Sequence, residues 1–127
     1  MRIKQYSIRY VSLKEQEDEM LLFGQFLDDF YNAKSKENKY ALIKEEPIFD
    51  EKNPVFMCML ACAVHKLSND YNLKTPEWVF FSKYTLKEKY YAFNTENKEY
   101  QNFLENTTPV EYKSRNLIYG DSVLKRC

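Results

Sequence analysis

The strongest constraint on this chain is a run of ten apolar residues, Val55 to Val64, entered through Asn53-Pro54. Asn is a good N-cap, and proline at the first helical position loses only an N–H that no helix would use. Such a run is about half of what a bilayer span needs, so it predicts a buried helix of a water-facing domain. Periodicity extends the helix over about 54–71. Phe56, Leu60, Ala63, Leu67 and Tyr71 fall on one face, and Cys58, Cys62, His65 and Asn69 on the other. A helix apolar on almost every side must be surrounded by the rest of the chain. The expected fold is therefore mainly α: a single compact helical domain over 1–127, built around this central helix.

The flanking segments supply the surround. Ser12-Leu13-Lys14-Glu15 reads as a capping box, followed by acids at 15, 17, 18 and 19 where the helix dipole favours them. Leu13, Met20, Phe23, Leu27, Phe30 and Tyr31 make an apolar stripe, widened by Leu22 and Phe26, which predicts a helix over 13–32. Ser35 and Pro47 bracket a shorter helix over 36–45. Thr75-Pro76 opens a short helical turn. Residues 96–106 form a helix presenting Tyr100, Phe103 and Leu104, and Thr108-Pro109-Val110-Glu111 is a second capping box that starts a helix to about Arg115. Tyr6, Ile8 and Tyr10 alternate, so residues 1–11 are expected as an extended or strand-like N-terminal arm. Residues 116–120 are expected as an extended linker, with Asp121 or Ser122 capping a last turn, and 82–94 carry no clear pattern.

Composition narrows the function. Among 127 residues, 19 basic and 19 acidic side chains cancel, which excludes a general coat for nucleic acid or anionic membrane. The start of the chain has no apolar core of a secretory signal, and three cysteines suit free thiols better than a disulfide framework, so the expected location is the cytoplasm. Charge is nevertheless uneven. Residues 15–51 hold 11 acidic and 4 basic side chains, and 113–127 hold four basic side chains against Asp121. The acidic pairs Asp28-Asp29 and Glu45-Glu46 offer a face for a basic protein, or one that mimics nucleic acid. Lys83, Tyr84, Lys87 and Lys89, followed by Tyr90-Tyr91, interleave cations and rings as single-strand-binding surfaces do. The segment is a second candidate for docking a protein partner, and Lys83, Lys87 and Lys89 with Arg115 are the candidates for nucleic acid.

Catalytic chemistry finds little support. His65 is the only histidine, it stands mid-helix, and no nucleophile turn or Gly-rich phosphate loop accompanies it. Cys58, Cys62 and His65 share one helical face and are the candidates for a soft-metal site, with Cys127 as a fourth ligand that would close a tetrahedron. The same three are the only candidates for a Cys–His enzyme site. Core packing is the favoured reading of the three, since cysteine is among the most buried residue types, and no cofactor is expected. Glu111 stands four residues before Arg115, so a helical ion pair joining the last two helices is expected there.

Several segments carry a resemblance: Phe26-Leu27-Asp28-Asp29-Phe30-Tyr31, Leu42-Ile43-Lys44-Glu45-Glu46-Pro47, Thr75-Pro76-Glu77-Trp78-Val79, and Thr107 to Ile118 followed by Val123-Leu124-Lys125-Arg126. In these the chain resembles a little-characterised family of small bacterial helical proteins. Its members stand alone or behind a helix-turn-helix module, and some look like the partner of a toxin-like nucleotidyltransferase. The resemblance implies a non-enzymatic, protein-binding regulator of the antitoxin or phage-defence type, and it supplies no catalytic residues. No helix-turn-helix segment is recognisable in this chain, so the resemblance does not extend to operator binding. The alternative expectation is a nucleic-acid-binding accessory factor, or a mobile-element or phage inhibitor that mimics nucleic acid. An aromatic-rich helix with an exposed patch also allows a homodimer.

Overall fold

A computed structural model describes residues 7–13, 19–92, 96–120 and 123–124. Among them are six α-helices: α1 (Ile8–Leu13), α2 (Glu19–Asn32), α3 (Lys36–Ile43), α4 (Pro54–Asp70), α5 (Lys98–Thr107) and α6 (Val110–Lys113). Two 3-10 turns, Glu77–Phe80 and Ser82–Tyr84, follow α4, and two short strands, β1 (Tyr90–Tyr91) and β2 (Leu117–Ile118), complete the described elements. No helix among the described residues is long and apolar enough to cross a membrane.

The central helix forms where the Asn53-Pro54 entry places it. Every residue from Phe56 to Val64 is buried, so no side of this stretch faces water. The 3-10 turns, α6 and β2 pack directly on it, and α1 joins α2 and α3 in the same core. Burying a Leu or Phe side chain contributes roughly 1.5–3 kcal/mol, so Phe56 and Leu60 of this row are substantial contributors to stability. The α2 stripe is also formed: Leu22, Phe23, Phe26, Leu27 and Phe30 are buried, whereas Met20 is half-exposed. Its carboxyl end is closed by Lys39, whose Nζ donates to the carbonyls of Phe30 and Ala33 at 2.8 and 2.9 Å. A cation there also meets the negative end of the helix dipole. Ser35 caps α3 as its sequence indicates, accepting from the Asn38 N–H at 3.1 Å, and Asn97 does the same for α5 from Tyr100 at 3.0 Å.

Several expectations are corrected. Of the N-terminal arm, residues 1–6 lie outside the described residues, and Ile8–Leu13 is an α-helix, not a strand. Ile8 and Val11 are both buried, three apart, and this spacing overrides the alternation of Tyr6, Ile8 and Tyr10. Ser12 therefore lies inside α1 and does not cap a helix beginning at 13. Its hydroxyl donates to the Arg9 carbonyl at 2.6 Å and accepts from the Ile48 N–H at 2.9 Å. Lys14 to Asp18, including Glu15 of the expected box, lie outside the described residues.

Thr108 is likewise not an N-cap. It ends α5, its hydroxyl donates to the Leu104 carbonyl, and it accepts the N–H groups of Tyr119 and Gly120 at 3.1 and 2.8 Å. One hydroxyl thus closes a helix and holds a chain segment eleven residues away. Gly120 sits at φ +87°, and a Cβ there would come within 3.0 Å of Leu104, so this turn requires glycine.

The expected linker at 116–120 contains β2, which pairs in parallel with β1 in the register Tyr90 with Leu117 and Tyr91 with Ile118. Asn116 enters it at φ 66°, a conformation Asn tolerates, and its amide donates to the Leu86 carbonyl at 2.7 Å. The last turn expected from Asp121 or Ser122 falls mostly outside the described residues.

Candidate interaction surface

The turn after α4 must reverse the chain and still bury Trp78. A 3-10 helix aligns residues three apart, so Glu77 and Phe80 share its outer edge, while Trp78 and Val79 turn inward. Trp78 Nε1 donates to the Ile43 carbonyl at 3.1 Å, which pins the turn to the end of α3. Phe80 and Phe81 are left at the surface, 62% and 45% exposed. Ile48, 48% exposed, lies beside the half-buried Phe49 on the segment between α3 and α4.

Lys83 joins the two segments. Its Nζ is 2.7 Å from Glu46 Oε2 and lies over the rings of Phe49, Phe81 and Tyr84. The Tyr84 hydroxyl donates to the same Glu46 oxygen at 2.7 Å, and Arg9 donates to the Glu46 backbone carbonyl at 2.7 Å. Burial works against the Glu46 carboxylate. The hydrogen bonds from Lys83 and Tyr84, with the charges of Lys83 and Arg9, outweigh it and hold its pKa below the usual range. Burial, followed by the bond to Glu46, pushes the Tyr84 hydroxyl far above its ordinary value, so it remains a donor.

Beneath Phe80 is a buried polar knot. Arg115, only 5% exposed, donates through Nη1 to the Glu111 carbonyl at 2.7 Å and to His65 Nδ1 at 3.1 Å, and through Nη2 to the Val79 carbonyl at 2.9 Å. The expected Glu111–Arg115 ion pair is replaced by this contact to the Glu111 backbone, and the Glu111 carboxylate instead accepts from Asn69 at 2.8 Å. Guanidinium has only donors, so His65 Nδ1 must accept, and the ring is neutral with its proton on Nε2. The Phe80 ring stands edge-on to His65, with centroids 5.2 Å apart, and its centroid is 6.0 Å from Arg115 Cζ. The exposed ring is thus held in place by an ordered layer below it.

Burial first, and the Arg115 charge second, lower the His65 pKa, with Glu111 opposing. In the unfolded chain His65 titrates near 6.5, so between the two values the unfolded state binds more protons. The stability due to neutral His65 is whole above about pH 6.5 and is lost as pH falls toward the folded value. Urea unfolding at pH 7.5 and 5.5 is expected to show a larger loss for the wild type than for His65→Gln, whose amide oxygen still accepts from Arg115. Equal losses would contradict this.

Cys58 and Cys62 lie on the buried side of α4. Their Sγ atoms are 3.8 Å apart, and Cys58 Sγ lies 3.7 Å from the Arg115 carbonyl. Burial raises the Cys62 thiol well above its ordinary pKa. With His65 Nδ1 turned to Arg115, the Cys58, Cys62 and His65 face packs and hydrogen-bonds. Among the described residues no group of three or more His, Cys, Asp or Glu side chains is placed to hold a metal ion.

The other candidate residues divide. Glu46, Lys83 and Tyr84 converge in one cluster, with Arg115 in the layer behind Phe80. Asp28 is half-buried and Asp29 is 8% exposed on α2, whereas Glu45 is exposed, so the two acidic pairs do not present one continuous face. Lys89 bonds Glu105 of α5. Lys87 lines a groove of about 390 Å3 with Val55, Leu86, Lys89 and Tyr90. Phe80, Phe81, Ile48 and Phe49 were not among the sequence candidates. For Phe80 and Phe81 the signal was the run Trp78-Val79-Phe80-Phe81, more apolar residues than a single 3-10 turn can turn inward.

Comparison with protein-family models, curated proteins and solved structures returns no match.

Proposed function

We propose that this chain is a non-enzymatic regulatory protein of the antitoxin or phage-defence type that acts by docking on a protein partner. The observation that carries the reading is the exposure of Ile48, Phe80 and Phe81, with Phe49 half-buried beside Ile48 and Phe80 backed by the His65–Arg115 layer. Large aromatic side chains fixed in position lose little entropy on binding, and such anchors supply most of the energy of an interface. The resemblance to small bacterial regulators motivates the biological class. The state of the basic side chains favours a protein over nucleic acid: Arg115 is buried, Lys83 is paired with Glu46 and Lys89 with Glu105. Lys83 and Lys89 stand at the surface, so a phosphate would have to displace a carboxylate from each of them. The only histidine is engaged with Arg115, which supports the non-enzymatic part.

The test is affinity capture from the host lysate followed by native mass spectrometry, with Phe80→Ser/Phe81→Ser beside the wild type. The wild type is expected to retain a protein of defined mass through nuclease treatment and raised salt, and the double variant to lose about tenfold or more of it. Nucleic acid that departs as salt rises, or equal capture by both forms, would overturn the reading.

A further inference from the structure

The Lys83 ammonium is surrounded by more than an ion-pair partner. Its Nζ lies 5.2, 5.8 and 5.5 Å from the ring centroids of Phe49, Phe81 and Tyr84, with the Glu46 carboxylate at 2.7 Å. Three rings and a carboxylate around one ammonium are the chemistry that recognises alkylammonium ions, because ring faces and carboxylate are both negative.

Phe49, Tyr84 and Glu46 are held by contacts that do not involve Lys83, while Phe81 closes the exposed side. Phe49 meets Tyr84 edge-on at 5.5 Å and 82°, and Trp78 meets Tyr84 at 5.3 Å and 63°. The Tyr84 hydroxyl orients the Glu46 carboxylate, and Arg9 holds the Glu46 backbone. Arg9 is the other cation that acts on Glu46, and its guanidinium is committed to the main-chain carbonyl. Lys83 itself enters from the solvent side, with its side chain 43% exposed. An exposed lysine pair is weakly held, so this side chain can leave without disturbing the core.

We propose that Glu46, Phe49, Phe81 and Tyr84 form a cation-recognition cage, occupied in the unbound chain by its own Lys83, that receives the alkylammonium head of a lysine or methylated lysine from a protein partner. The source of the cation rests on the protein-docking reading. The cage's preference for alkylammonium does not, and a small ion tests it separately.

Tetramethylammonium chloride is titrated into the wild type, Lys83→Gln and Lys83→Gln/Glu46→Gln at constant ionic strength, following aromatic NMR resonances. Lys83→Gln is expected to show saturable shifts confined to Phe49, Phe81 and Tyr84, with affinity about tenfold or more above the wild type. Adding Glu46→Gln is expected to remove that gain. Lys83→Ser, which shortens the occupant, carries the same expectation should Lys83→Gln lose its native spectrum. Equal affinity of wild type and Lys83 variants, or no saturable shift in a natively folded Lys83 variant, would overturn the proposal.

Discussion

Replacing Arg115 with methionine is expected to destabilise the protein by about 3–5 kcal/mol in urea unfolding. The guanidinium ties α4, through His65, and the first 3-10 turn, through Val79, to the neighbouring α6, through Glu111. Methionine fills much of the same volume but leaves two buried carbonyls without this donor. Each unsatisfied buried group costs about 1–3 kcal/mol, and hydrogen bonds to a charged group are themselves the stronger kind. Arg115→Lys is expected to recover only part of the loss, because one ammonium cannot reproduce the planar fork that reaches both carbonyls. Since Phe80 rests on the same layer, partner capture should weaken along with stability. A loss below about 1 kcal/mol would mean that the carbonyls find other partners, and the clamp would be refuted.

The second large effect is expected at the middle of α4. Leu60 is fully buried, with Met59 and Ala61 buried on either side of it. Leu60→Ala should cost about 2–5 kcal/mol, the transfer energy of the lost atoms plus the cavity that a helix enclosed on all sides cannot collapse to fill. A change below about 1 kcal/mol would show that α4 is less enclosed than described. Cys58→Ala, which removes only a small group from the same helix, is expected to have the milder effect.

What could be read from the sequence was what depends on near neighbours. The proline at the first position and the unbroken apolar run, nine of its ten residues buried, sufficed for α4, although the Asn53 side chain makes no capping bond. Ser35 caps as its position suggests, since the bond spans three residues. Failures came where a local pattern met a distant partner. Ser12 and Thr108 both have the spacing of capping boxes, yet their hydroxyls bond Ile48 and the Tyr119–Gly120 backbone. Arg115 had a suitable carboxylate four residues before it and took backbone carbonyls instead. Two-residue strands have no periodicity to detect, and β1 and β2 exist only because α6 and the Asn116 turn bring the segments together.

The candidate surface was legible in part for the same reason. Lys83, Tyr84 and Glu46 were each notable as chemistry-bearing residues, but they belong to separate segments, and only Trp78 packing against the end of α3 brings them into contact. Exposure of Phe80 follows from the geometry of the first 3-10 turn, and Phe81 is the extended residue that links it to the second.

Hydrogen exchange on the captured complex tests most directly whether partners dock on Ile48, Phe80 and Phe81. Backbone amides of residues 46–49 and 77–84 are expected to gain protection on binding, while α5, which exposes the stacked Tyr100 and Phe103 rings, exchanges as in the unbound protein. Protection confined to α5, with residues 77–84 unchanged, would contradict the account.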